Sequence, residues 1–311
     1  MRRLAAFLTV LSATLLAGCG PKATTGAKSS LVLDFTPNAI HAGIYDAISH
    51  GAPFRAIVPG QATDAVKLLV TKKVNFAVLD IHDLAIADQQ GKHLVGLMAV
   101  VQRPLASVLA APQISSPRQL AGQTVGISGD PSDTAVLNSI VAGSGANPKS
   151  VKTLNIGYNA VPDLLAKRVQ GATAFWNDEG QQLAQRGFHV FRVEKYGAPP
   201  YPELVLAAPE SEIAARPGVV RSVVRALSQG YQRVLANPAE GAKALEAGAG
   251  GLSPSTVSAQ LKGELPAFRT RGPAGSFDTA VLKRWAGWEL AHHLVSRLPN
   301  VRADFTNRFL G

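Results

Sequence analysis

From Leu31 onward the chain alternates short apolar runs with longer stretches whose apolar residues recur at helical spacing. The short runs predict strands at 31–34, 54–58, 76–80, 94–101, 106–111, 124–128, 151–155, 172–175, 189–193 and 203–208, with Gly or Pro turns between them. The intervening stretches predict helices at 62–70, 84–90, 134–142, 161–169 and 179–187. Strands that alternate with helices argue for an α/β fold with parallel sheets, because a parallel pair needs a crossover of helical length. Past Glu210 the strand pattern stops. Helical periodicity continues through 216–235, 238–247, 254–265 and 277–298, with Pro and Gly at the boundaries.

Two punctuated stretches divide this pattern. Residues 110–123 contain Pro112, Pro117 and Gly122, and residues 198–202 contain Pro199, Pro200 and Pro202. Punctuation of this kind marks a change of domain. It predicts a first lobe of residues 30–111 plus 205–311 and a second of 112–204, with a cleft between them and a hinge of two chain crossings.

The amino terminus has another grammar. Arg2 and Arg3 precede an apolar run over 4–16 that closes on Leu16-Ala17-Gly18-Cys19. The run is too short for a membrane span and fits a signal peptide over 1–18. Leu-Ala-Gly-Cys resembles the bacterial lipobox, which makes Cys19 the lipidated first residue and places the protein outside the cytoplasm on a membrane anchor. Small and polar residues over 19–29 suit a tether. Cys19 is the only cysteine, so the folded part has neither a disulfide nor a thiolate nucleophile.

The 311 residues are 46% hydrophobic and 17% charged, enough for a large core and about two domains. Net charge is +10; without the two signal arginines, 29 basic residues against 21 acidic leave +8. The basic residues are scattered at helical intervals without interleaved aromatics, which speaks against nucleic-acid binding. They read as solvated helix faces near an anionic membrane.

Ligands bind at strand ends in open α/β sheets, so the polar groups there are the candidates. After the first strand come Asp34, Phe35, Pro37, Asn38 and His41; Pro37 forces the chain to turn and Asn38 suits a helix N-cap. Asp80 and His82 follow the 76–80 strand. Ser128 to Asp133 follow the 124–128 strand, with Ser132 either capping a helix or joining backbone N–H groups around an anion or carbonyl oxygen. Trp176, Asn177 and Glu179 follow 172–175 and offer a stacking plate beside an amide and a carboxylate, a combination that reads the edge of a planar heterocycle. The spacing of His41, His82, Asp34 and Asp80 matches no metal-ligand template, so no metal is expected. A Gly-x-Ser-x-Gly elbow and a phosphate loop are both missing, no nucleophile–base pair is evident, and no cofactor or catalytic residue is expected.

These residues carry a family resemblance. Leu33-Asp34-Phe35-Thr36-Pro37-Asn38 with His41, Gly43 and Tyr45 resembles the signature of ABC-importer solute-binding proteins of the thiamine-pyrimidine-precursor type, whose superfamily includes sulfonate and nitrate binders. Trp176-Asn177 with Glu179-Gly180, and the stretch from Tyr196 to Leu204 that contains Tyr201, are similar to later motifs of that family. The resemblance covers about residues 30 to 210 in the family's order. It implies a periplasmic-binding-protein type II-like fold, two α/β lobes joined by a hinge with a helical C-terminal extension of lobe one. It further implies a lipid-anchored monomer that delivers a small heterocycle to an ABC permease and its ATPase. Asp34, Phe35, Asn38, Trp176, Asn177, Glu179 and Tyr201 would hold the ligand, with Phe35 standing where the family has Trp and lacking the indole N–H. Riboflavin or a flavin precursor, or a sulfonate or nitrate, are alternative ligands, and a surface protein that engages another protein through the helical tail is a further reading. Fungal pyrimidine synthases share the fold, but Val78 stands where their lysine is expected and residues 197–201 contain no cysteine.

Overall fold

A computed structural model describes residues 28–61 and 63–311. The signal-like segment, Cys19 and the tether as far as residue 27 lie outside the described residues. All ten expected strands form. They are β1 (Ser29–Val32), β2 (Phe54–Ile57), β3 (Phe76–Asp80), β4 (Leu94–Ala99), β5 (Ala106–Ala110), β6 (Thr124–Ile127), β7 (Lys152–Asn155), β8 (Gly171–Phe175), β9 (His189–Arg192) and β10 (Leu204–Pro209). The helices of the alternating part are α1 (Ala42–Ser49), α2 (Asp64–Val70), α3 (Ile81–Gln89), α4 (Asp133–Gly143), α5 (Ala160–Leu165) and α6 (Glu179–Ala184). The tail supplies α7 (Glu210–Ala215), α8 (Pro217–Ala236), α9 (Pro238–Ala249), α10 (Pro254–Glu264) and α11 (Thr279–Ala291). Three of these stop short of expectation. Lys167, Gly187 and His293 take left-handed backbone just past α5, α6 and α11, which ends helical pairing there.

The strands form two five-stranded sheets, β2-β1-β3-β10-β4 and β7-β6-β8-β5-β9. Each is mixed rather than parallel: β10 runs antiparallel to β3 and β4, and β5 runs antiparallel to β8 and β9. Both exceptions are the strands that enter a sheet straight from the other lobe, without a crossover helix to reverse direction. β5 also corrects the lobe boundary, because the expected division after residue 111 leaves it with the first lobe while its hydrogen bonds place it in the second sheet.

The first-lobe strands β1, β3, β4 and β10 are buried on both faces, with period-2 alternation deciding which core a residue joins, while the edge strand β2 leaves Arg55 exposed. Leu31, Phe76, Val78, Leu204 and Leu206 meet α1, α8, α9 and α10 on one side. Val32, Ala77, Leu79, Val205 and Ala207 meet α2, α3 and α11 on the other. The C-terminal helices therefore complete lobe one on both of its faces. A smaller cluster of Leu109, Ile156, Leu164, Ala172 and Leu183 closes the outer face of the second sheet under α5 and α6.

The two crossings are stitched by one side chain. Glu203, fully buried in the second crossing, accepts the Ala106 N–H at 3.1 Å and the Leu105 N–H of the first with the same carboxylate oxygen.

Candidate functional site

A cleft of about 910 Å³, mouth included, opens between the lobes at the carboxyl ends of their strands. The β1–α1 turn contributes Asp34, Phe35 and Asn38, and the β3–α3 junction contributes Asp80 and Asp83. From the second lobe come Ser128, Asp130, Ser132 and Asp133 before α4, Tyr158 before α5, and Asp178 and Glu179 at the start of α6. Of the residues expected from the sequence, Asp34, Phe35, Asn38, Asp80, Ser128, Ser132 and Glu179 line this cleft.

The β1–α1 turn is built by local hydrogen bonds. The Asn38 side chain accepts the Ile40 N–H at 3.0 Å, and His41 Nδ1 accepts the Asn38 N–H at 3.1 Å, together forming a capping box over a single 3-10 turn. With Nδ1 accepting, the His41 proton sits on Nε2, which donates to Asp34 Oδ1 at 2.9 Å. His41 thus orients Asp34 from beneath and stays out of the cleft, while Asp34 Oδ2 is buried with no partner. Phe35 stands at the rim edge-on to Tyr158, ring centroids 4.5 Å apart at 78°, and the Tyr158 hydroxyl donates to the Asp34 carbonyl at 3.0 Å. This aromatic pair joins the two lobes.

Seven expected residues fall elsewhere, each for a packing reason. Pro37 shapes the turn without lining the cleft, and Tyr45 is buried in the core of lobe one. His82 and Tyr201 are buried against each other, ring centroids 4.8 Å apart, with Trp285, Trp288 and Glu289 from α11 around His82. Trp176 turns toward the hinge: its indole N–H donates to the Pro104 carbonyl at 3.0 Å, and the Arg192 guanidinium lies 3.9 Å from its ring centre. The stacking face expected of it is therefore occupied by the protein itself. Asn177 is 0% exposed and donates to Glu264 of α10 at 3.1 Å, beside a bond from Gln260 to Asp178 at 2.9 Å. Asn177 fastens the lobes instead of facing a ligand.

Tyr158, Asp83, Asp130, Asp133 and Asp178 line the cleft without having been picked out individually as ligand residues. The signal for Tyr158 was available, since Gly157 and Tyr158 stand at the end of β7 as the other groups stand at theirs, but the strand itself is polar and exposed and draws less attention.

Burial and crowding hold the acids toward their neutral forms. Burial and then the neighbouring Asp178 push Glu179 up to about 8. Burial and the adjacent Asp133 raise Asp130 to about 7. Asp83 is held well above the usual carboxylate range by burial and by repulsion from Asp130 and Asp80. Behind the cleft, Asp80, His82 and Glu203 bring one donor atom each within 4.8 Å of the others, a juxtaposition the sequence spacing did not announce. Protein groups already engage this trio: Asp80 Oδ1 caps α3 through the His82 N–H at 2.7 Å, His82 Nδ1 meets Glu289, and Glu203 holds the hinge. Burial, opposed by its hinge hydrogen bonds, leaves Glu203 at about 7, and burial likewise holds the adjacent Asp80 well above the usual carboxylate range.

Comparison with known proteins follows the same outline. The formylaminopyrimidine-binding protein of Halalkalibacterium halodurans is 28% identical over 221 residues, 68% of this chain and 67% of that protein. A Haemophilus influenzae protein named for thiamine biosynthesis is 30% identical over 225 residues, 68% of this chain and 71% of its own length. In fold, the alkanesulfonate-binding protein SsuA of Xanthomonas axonopodis pv. citri, solved with MOPS, superposes with a TM-score of 0.71 at 16% identity, covering 92% of this chain and all of that one. That likeness establishes the periplasmic-binding-protein architecture. Residues 41–241 match the family described as NMT1/THI5 like, and the chain belongs to that family.

Proposed function

We propose that this chain is the extracytoplasmic solute-binding component of an ABC importer, lipid-anchored through Cys19, and that it carries a planar nitrogen heterocycle of the thiamine-pyrimidine-precursor kind. The observation that carries this reading is the interlobe cleft walled by the Phe35–Tyr158 pair, with Asn38, Ser128 and Glu179 around it. A flat ring stacks against the aromatic wall, and the polar groups pair with its edge. Glu179, raised to about 8, keeps a proton near neutrality and can donate to a ring nitrogen as well as accept from an amino group. The lobes, taken as 30–111 plus 205–311 and 112–204 with β5 reassigned to the second, close over the ligand by bending at the Glu203-stitched crossings.

No Lys, Arg or His is among the described residues of the cleft wall, which leaves a sulfonate or nitrate without a counter-charge and disfavours that alternative. The name of the formylaminopyrimidine-binding relative supports the pyrimidine class. Isothermal titration of the purified protein with formylaminopyrimidine, riboflavin, an alkanesulfonate and nitrate tests the assignment. The pyrimidine binds and is recovered unchanged, and Phe35→Ala weakens it by about tenfold or more, equivalent to about 1.4 kcal/mol. Tighter binding of riboflavin or of the sulfonate would replace this reading. Metabolic labelling with palmitate tests the anchor, and the label is lost in Cys19→Ser.

A further inference from the structure

The cleft is far more acidic than the chain that forms it. Asp34, Asp80, Asp83, Asp130, Asp133, Asp178 and Glu179 all reach its wall, while no Lys or Arg among the described residues does. This is a strong segregation of charge in a molecule of net charge +10.

The acids are also placed on opposite jaws. Asp34 and Asp83 belong to lobe one and Asp130 to lobe two, and across the cleft Asp130 is the strongest charged influence on Asp83. Each of the three has one oxygen, Asp34 Oδ2, Asp83 Oδ1 and Asp130 Oδ1, buried without a hydrogen-bond partner. Asp83 is only 7% exposed, so solvent does little to satisfy it. Buried polar atoms without partners are uncommon in folded proteins, and three that converge on one cavity mark groups waiting for a ligand. With nothing positive between them, crowding keeps these carboxyls toward their neutral forms; a neutral ligand leaves them so, an anion disfavours their ionisation further, and a cation draws them into their charged forms and pairs with them.

We propose that the cognate ligand is a cation, a flat nitrogen heterocycle bearing a protonated amine that is clasped between Asp34 and Asp83 of lobe one and Asp130 of lobe two. This rests on the heterocycle reading above and adds a charge to it: the free aminomethylpyrimidine is preferred over its neutral N-formyl derivative. The ring occupies the Phe35–Tyr158 wall, and the ammonium reaches the acids that the two jaws bring together.

Titration calorimetry on the full-length chain with aminomethylpyrimidine, its N-formyl derivative and spermidine, each at low and at physiological salt, tests this. The amine binds about tenfold or more tightly than the formyl derivative, and the gap narrows as salt screens the acids. Asp83→Asn and Asp130→Asn each narrow it too, because each weakens the amine by a larger factor than it weakens the formyl derivative. Circular dichroism checks that both variants fold, and Asp130→Asn carries the test if Asp83→Asn does not. A formyl derivative that binds as tightly as the amine overturns the charge assignment and leaves the heterocycle reading standing. Spermidine binding without either pyrimidine overturns the heterocycle reading and keeps the preference for cations. If none of the three binds, both fall.

Discussion

Gly43 shows how a motif residue can serve packing more than ligand contact. A methyl group at that position would sit 2.5 Å from the Tyr231 ring, and Tyr231 is itself fixed by its hydroxyl bond to the Ile40 carbonyl at 2.8 Å. Gly230 on α8 approaches the same place from the other side, where an added Cβ would be 2.2 Å from the Gly43 carbonyl. The glycine pair lets α1 and α8 pack with their backbones nearly touching, and that contact fixes the β1–α1 turn that holds Asp34 and Asn38. Gly43→Ala should cost about 1–3 kcal/mol in chemical denaturation, the usual range for an overpacked core; an unchanged midpoint would mean that the helices slide apart freely. The same scale explains what could be read beforehand. Asp34, Phe35, Asn38 and Glu179 were legible because strand ends in α/β sheets face the cleft. Trp176 was not, because strand-end position says nothing of which way a side chain turns, and a Pro104 carbonyl with Arg192 made a better partner for the indole than an open cleft.

At the scale of elements, the hinge depends on Glu203. Its carboxylate is the acceptor for two backbone N–H groups at the start of β5, and the strand it leads into, β10, pairs with β3 and β4 of the other sheet. Glu203→Ala strands both donors in a buried position, with a cost of about 3 kcal/mol. Glu203→Gln retains one accepting oxygen and should cost less. Urea unfolding of both variants checks this, and a loss below about 1 kcal/mol for the alanine variant would show that the crossings hold without it. Positions of all ten strands were readable as short apolar runs between turns. The directions of β5 and β10 were not, because direction depends on where the incoming chain last lay, and both arrive from the opposite lobe.

For the whole molecule, the arrangement of the two lobes is held at the α10 edge by Asn177–Glu264 and Gln260–Asp178. Burial raises Glu264 to about 8, with the Asn177 bond opposing the shift and Asp178 adding to it. An unfolded glutamate titrates near 4.3, so between these values the folded state holds a proton that the unfolded chain has released. Its contribution to stability is complete below about pH 4 and is lost as pH rises through about 8. Glu264→Gln keeps the Asn177 bond without the titration, so its melting temperature relative to wild type should climb from pH 5 to pH 9, by an amount worth on the order of several kcal/mol. A flat difference would remove Glu264 from the account. Read alone, the sequence determined the α/β class, the strands and most helices, the two-lobed plan and the cleft-facing role of the first strand's turn, because these follow from periodicity, punctuation and the few residue types that suit strand ends. The tertiary structure decided that the tail completes lobe one, that Trp176 and Asn177 serve the hinge and the latch, that Tyr158 meets Phe35, and that acids from both lobes share one cavity. Those outcomes depend on which distant segments become neighbours, and local pattern carries no record of that.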